Sequence, residues 1–345
     1  MTNPPSVGRR KLQSDVIAEG VKRLKGPQKI AALQVWLLGL ISGFALSATA
    51  IIDTSLPDFI ARPGAAISTV VLVVGLAYRA GGRTLVWFWL AAVFSAVTLI
   101  FPMQGLLAGA ALLTAISGAV LAVLATRPAS NIASAIKEYF VAIFIGLATM
   151  LAVGAWNAQV EHQLFNIIVV TSAVSLTFGI VWSLGANLHG LTPRYVAILL
   201  GAVGALIVLL AYATLVRSYG SAGLIAFLEN TVVWIRTTII GVPRPVQALL
   251  GFPALVVGVA LRSQRRDGWW LMVFAAIGTS VMASAVVNPY AFPTYIGLST
   301  LYSIIIGLGL GLIARHFVSS RGGSRASRSI EQLTRLEPKR TDPLK

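Results

Sequence analysis

Residues 221–241 read SAGLIAFLENTVVWIRTTIIG, a run apolar enough to cross a membrane but carrying Glu229 and Arg236 near its middle. Whether it crosses fixes the number of spans and the side on which all later residues lie. Its nine Leu, Ile, Val and Phe residues favour insertion by about 3–5 kcal/mol, whereas a glutamate and an arginine at the bilayer centre cost about 5–7 kcal/mol. The balance predicts a helix that lies along the outer interface with Trp234 at headgroup level. Leu224, Ile225, Leu228, Val232 and Ile239 then face lipid or protein. Glu229 and Arg236, seven residues apart, share a helix face turned to water or to each other. Gly220 and Gly241 flank the stretch, and Pro243 and Pro245 stop it before the next span.

The surrounding chain has the composition of a membrane protein. Of 345 residues, 57% are hydrophobic and 11% charged, and the mean hydropathy is +0.83; soluble domains carry about 25% charged residues. Apolar runs of membrane-crossing length recur between short polar loops. The fold class is therefore an all-α polytopic membrane protein of about ten transmembrane helices: 30–52, 63–78, 84–101, 105–125, 139–156, 166–186, 195–216, 245–261, 269–287 and 294–314. Around this bundle, 30–316, lie a basic segment 1–29 and a polar, basic tail 317–345 whose composition predicts disorder.

The net charge of +16 would suggest nucleic acid in a soluble protein. Here it reads as membrane orientation, and no nucleic-acid partner is expected. With the N-terminus inside, 23 of the 27 Lys and Arg residues fall in cytoplasmic segments, leaving Arg62, Arg217, Arg236 and Arg244 outside, the bias that orients membrane helices. If 221–241 crossed, Arg262, Arg265, Arg266 and the basic tail would face outward. The expected location is the cell membrane, with both termini cytoplasmic and the basic segments against the anionic inner leaflet. Membrane lipids are thus the expected partners, beside a protein partner that the sequence does not name. The absence of cysteine removes disulfides and thiolate metal sites. Ala48-Thr49-Ala50 resembles a cleavage signal, but the preceding apolar run is too long for a signal peptide.

The chain repeats itself. LVVGLAYRAGGRTLVW at 72–87 and LVVGVALRSQRRDGWW at 255–270 agree at eight of sixteen positions. Each block follows an Arg-Pro pair, Arg62-Pro63 and Arg244-Pro245, and each precedes a Phe-Pro. Spans 1–4 are read as recurring in spans 7–10 in the same orientation, a parallel repeat, with the 221–241 stretch inserted in the second copy. The first block's loop resembles the one between helices 2 and 3 of the major facilitator superfamily, whose pattern is Gly, three residues, Asp-Arg, one residue, Gly-Arg. Gly75, Gly82 and Arg83 match; Arg79 and Ala80 replace the Asp-Arg pair, and the twelve helices and fifth-helix Gly-Pro signature of the family are absent. Gly258, Arg262 and Arg266 form a fainter echo. The resemblance, about ten residues long, implies a transporter with a cytoplasmic loop motif of Gly75, Arg79, Arg83, Gly258, Arg262 and Arg266.

Signatures of catalysis are missing. The sequence holds no P-loop, HExxH or GxSxG pattern, and no metal site or cofactor is expected. Asp53, Asp58, Glu161, His162, Glu229 and Arg236 form a candidate outer-face polar set, each with a capping or pairing role as the plainer alternative. Gly251 and Pro253 mark a candidate helix break in the eighth span. Three readings follow: a transporter or permease with its path between two helix repeats, which is preferred; a non-catalytic membrane subunit or assembly factor; and an outer-face transferase acting on a lipid-linked substrate. The first two make the protein no enzyme. A reporter fused after Lys345 should be active in the cytoplasm; activity only outside would overturn the topology.

Overall fold

The computed structural model describes residues 26–52, 58–184, 200, 201, 204, 221–263, 268–287, 292–320, 337, 338, 340 and 342–344. The helices are α1 Gly26–Ile52, α2 Asp58–Arg79, α3 Thr84–Ile100, α4 Gln104–Leu124, α5 Ile132–Ala155, α6 His162–Ser183, α7 Ala222–Ile239, α8 Phe252–Arg262, α9 Gly268–Ala283 and α10 Pro293–Ser320. A π-helical turn, Val246–Gly251, leads into α8. No strand occurs among the described residues, as lipid requires of a chain that must satisfy its backbone within each segment. Seven described helical stretches are long and apolar enough to cross a membrane: 30–50, 60–79, 104–124, 132–155, 162–183, 268–287 and 293–317. Helix α3 and the 246–262 stretch are apolar but shorter. Of the expected span 195–216, only residues 200, 201 and 204 are described, all three helical.

Met1–Leu38 and Gly39–Lys345 form two units. In the first, the described residues continue as helix α1, with Ile30, Val35 and Leu38 exposed. The second is organised around α9, in which every residue but Val281 is buried. Helix α9 packs against α4, α5, α6 and α8, while α2 packs against α3, α4 and α5, and α10 against α8. Small residues allow these approaches. A Cβ on Gly251 would stand 2.3 Å from the Gly278 Cα, so the backbones of the π turn and α9 touch. Of three GxxxG pairs, Gly39/Gly43 meets Val71 and Ser68 of α2, and Gly307/Gly311 meets Phe252 and Val256 of α8.

Polar side chains stitch the interior. Thr69 of α2 and Thr114 of α4 lie 2.5 Å apart, oxygen to oxygen, and the Trp156 indole N–H donates to both at 3.2 and 3.0 Å. Thr279 of α9 donates to the Ala119 carbonyl at 2.9 Å, and Tyr139 of α5 to that of Ile304 in α10 at 2.8 Å.

Helix α7 ends at Ile239. Ile240 follows in the left-handed region, φ 63°, and Gly241–Arg244 lies against the first turns of α10. There Ser299 donates to the Val242 carbonyl, and the Arg244 N–H donates to Ser303 Oγ at 2.8 Å. Phe227, Val233 and Trp234 are exposed and Ile225 half-buried. The side chains of Leu224, Leu228, Glu229, Val232, Arg236 and Ile239 lie outside the described residues.

The helices that carry the two similar sequence blocks differ in surroundings. Both α2 and α8 pack against the two helices that follow them. Yet α9 is enclosed, whereas its counterpart α3 buries only Ala91, Ser95 and Thr98, because α4, α5 and α6 cover α9.

Gly251→Ala should lower the thermal midpoint in detergent by an amount equivalent to at least 1–3 kcal/mol, about the cost of overpacking. Gly179→Ala, with nothing within 4 Å of its added methyl, should leave the midpoint unchanged or raise it. Trp156→Phe should cost about 0.6–2 kcal/mol, the range for a membrane-interior hydrogen bond.

Candidate functional site

The site begins with a turn that Gly81-Gly82 makes possible. Helix α2 ends in a Schellman-type cap: the Gly82 N–H donates to the Ala77 carbonyl at 2.7 Å and the Gly81 N–H to that of Tyr78 at 3.1 Å. Gly81 takes φ 79°, a conformation glycine adopts without strain. Arg79 is thereby left in the last helical position, 2% exposed. Its Nε donates to the Leu124 carbonyl at 2.8 Å.

Leu124 is the last residue of α4. The carbonyls ending a helix lack intrahelical partners and carry its negative dipole end. Three consecutive carbonyls here each receive an arginine. Arg79 takes Leu124, Arg340 Nε takes Ala125 at 3.0 Å, and Arg262 Nη2 takes Thr126 at 3.1 Å. The three donors come from the end of α2, the 337–344 segment and the end of α8. Arg79 and Arg262 occupy matching positions in the similar blocks 72–87 and 255–270.

Arg262 is fully buried. Its Nη1 donates to Thr126 Oγ1 at 2.8 Å, and its guanidinium carbon lies 3.7 Å from the centroid of the Trp269 ring. Its remaining edge grips Glu337: Nε to Oε1 at 3.4 Å and Nη2 to Oε2 at 2.5 Å, a two-pronged pair with both side chains at 5% exposure or less. A second pair joins Arg340 Nη2 to Glu138 Oε2 at 2.6 Å, and the same carboxylate oxygen accepts the Arg127 N–H at 2.8 Å. The Asp342 carbonyl accepts from Arg79 Nη1 at 2.6 Å, and the Leu344 N–H donates to the Arg79 carbonyl at 2.9 Å. The loop after α4 is held to α8 by Ala129 N–H to Val259 carbonyl, 2.9 Å, and begins α5 with a reciprocal Asn131–Ser134 cap. Arg315 of α10 donates to the Ser130 carbonyl at 3.1 Å. The ends of α2, α4, α8 and α10, the start of α5 and the 337–344 segment therefore share one end of the structure.

Composition led to the expectation of a disordered tail beyond 317. Residues 321–336 lie outside the described residues, but Glu337, Arg340, Asp342 and Leu344 make the specific bonds above. Arg83 is exposed ahead of α3, Gly258 packs against Met272 and Leu271, Gly75 is half-buried, and Arg266 lies outside the described residues. Among the described residues of the loop motif, Arg79 and Arg262 are the ones brought to this site. Glu138, Thr126 and Glu337 were missed; Glu138, a lone acidic residue beside basic ones at a span end, was the available signal.

The outer-face set is not assembled among the described residues. Glu161 is the N-cap of α6, its carboxylate accepting from the Gln163 N–H at 2.9 Å and from the Leu164 N–H, with His162 Nδ1 3.8 Å away. Asp58 opens α2; Asp53 and the side chains of Asp58, Glu229 and Arg236 lie outside the described residues. The candidate break at Gly251 and Pro253 takes the form of the π turn, with Pro253 in the first turn of α8, where its missing N–H costs least. No group of three or more His, Cys, Asp or Glu capable of holding a metal occurs among the described residues.

The two backbone N–H bonds hold the Glu161 carboxyl below its ordinary range, Leu164 first and Gln163 second. A depressed folded value means that the cap contributes above the ordinary carboxylate range and is lost as pH falls through the folded value. Amide protection at Leu164 should therefore decline on acidification, and Glu161→Gln should flatten the decline. At the opposite end, Arg262→Gln should cost about 3–5 kcal/mol, the penalty for stranding a buried carboxylate. Glu337→Gln should cost less, because Arg262 keeps Thr126 and Trp269; thermal midpoints of the two variants will rank them. No family model, curated protein or solved structure matches the chain, so the site is read from its own geometry.

Proposed function

We propose that this multi-pass membrane protein is a transporter or permease whose substrate path runs between two related sets of helices, closed at the arginine-bearing end. The observation that carries this reading is the convergence of Arg79 and Arg262 on the end of α4. Equivalent helices of a parallel repeat, α2 and α8, end at the same side and are tied there to one intervening helix. Parallel repeats related by an axis along the membrane normal recur in transporters. Such a tie is made of replaceable hydrogen bonds, which suits an end that opens and closes. The limited likeness of the Gly75–Arg83 loop to the major facilitator superfamily supports the same reading. The transferase reading loses support because Glu161 is engaged in capping.

The same ends support a topology. Helix α6 finishes at the arginine-bearing end, where Trp182 lies 6.2 Å from Trp270, ring to ring. The 241–244 segment lies near the opposite end of α10. We read an odd number of crossings between them, with one of the two apolar stretches 195–216 and 221–241 crossing and the other not. The uncharged 195–216 is the better crossing segment. On this reading the chain crosses ten times, with α7 on the outer interface and the arginine-bearing end toward the cytoplasm of a cell membrane.

Spin labels on Arg83→Cys and Ile132→Cys, both exposed, in lipid nanodiscs should report two distances across the arginine-bearing end. Arg79→Gln should shift the population toward the longer one. A single distance that this substitution leaves unchanged would overturn the transport reading.

A further inference from the structure

We propose that Arg262, with Thr126, Trp269 and the nearby Arg79, forms an oxyanion-binding site for a carboxylate or phosphate group, and that Glu337 fills it as a ligand tethered to the same chain. The proposal stands on the geometry of the site and does not rest on the transport reading.

The site is shaped by residues that do not belong to its occupant. Thr126 fixes one side of the Arg262 guanidinium through Oγ1 and its carbonyl, and the Trp269 ring lies against its face. The planar group is thus held in one orientation before any anion arrives. The edge left over presents Nε and Nη2, the fork that binds carboxylate and phosphate through two parallel bonds. Glu337 occupies that edge and no other. Withdrawing Glu337 leaves the positioning contacts intact and an oriented, buried cation facing the vacated space. Such a cation is costly without an anion, and the neighbouring charge of Arg79 raises the local positive potential.

The occupant is suited to exchange. The 337–344 segment is held by Glu337 on Arg262, by Arg340 on Ala125 and Glu138, and by backbone bonds of Asp342 and Leu344 to Arg79. Each is a polar bond that water or an arriving anion can replace. The oxyanion can come from two sources that share this chemistry: the headgroup of an anionic lipid or a soluble phosphate compound. Binding of either releases the segment.

The chain contains no cysteine, so Ser130→Cys and Pro343→Cys provide a unique pair of spin-label sites in the full-length protein. In nanodiscs of zwitterionic lipid the pair should give one short, narrow distance. Glu337→Gln should raise the released, broad population at least tenfold, and Glu337→Asp, which keeps the charge on a shorter arm, should give an intermediate value. Millimolar inorganic phosphate should release the segment where chloride at equal ionic strength does not, if the source is soluble. Nanodiscs containing phosphatidic acid should release it without phosphate, if the source is a headgroup. Release by either arm or both supports the site. Release by chloride as readily as by phosphate, no release by any anion, or a distance indifferent to Glu337→Gln and Glu337→Asp alike would overturn it. Trypsin cleavage after Arg340 gives a second readout and should accelerate in the same conditions.

Discussion

Three arginines on three successive carbonyls at the end of α4 are the interaction on which this end of the protein depends. A helix ending in low dielectric leaves acceptors that must find donors, because an unsatisfied carbonyl there costs several kcal/mol. Water would serve at an exposed end. Here the donors are guanidiniums reaching from α2, α8 and the 337–344 segment. Burying Arg79 and Arg262 is itself expensive, and the expense is offset locally: Glu337 faces Arg262, Glu138 pairs with the half-buried Arg340, and the helix dipole favours all three cations. Removing any one member exposes the cost of another.

The rest of the structure supports that junction. Helix α9 is enclosed on all sides, and the contact of Gly251 with Gly278 lets the π turn approach it without intervening side chains. The Thr69–Thr114–Trp156 network binds α2 to α4 in the interior, on the same pair of helices whose ends meet at Arg79 and Leu124. The exposed apolar face of α3 contrasts with the burial of its counterpart α9. Likeness in sequence between the two blocks therefore does not impose likeness in environment: α4, α5 and α6 cover α9 and leave α3 exposed.

Much of this could be read from the residues, and the misses have physical causes. Apolar runs located the helices, since hydrophobic length is a property of each segment alone. The matched blocks at 72–87 and 255–270 singled out Arg79 and Arg262. What neither block contains is the identity of their common acceptor: Leu124, Ala125 and Thr126 contribute backbone carbonyls, which leave no mark in a sequence. Glu337 was hidden differently. Composition averages over the tail and predicts disorder, while the bonds at Glu337, Arg340, Asp342 and Leu344 depend on a short match to a surface formed elsewhere. Glu161 was legible as a cap, being an acidic residue directly before an apolar run, and that plainer role is the one it fills.

The separation between Arg262 and Glu337 also has a meaning in time. Seventy-five residues lie from one to the other along the chain (337 − 262). At about 5–20 residues per second, synthesis takes about 4–15 seconds to deliver the carboxylate after the arginine has been made. During that interval α9 and α10 emerge, and Trp269 becomes available before Glu337 does. Thr126 and Trp269 are thus made before Glu337, so the groups that orient the guanidinium are on the chain ahead of the carboxylate that neutralises it.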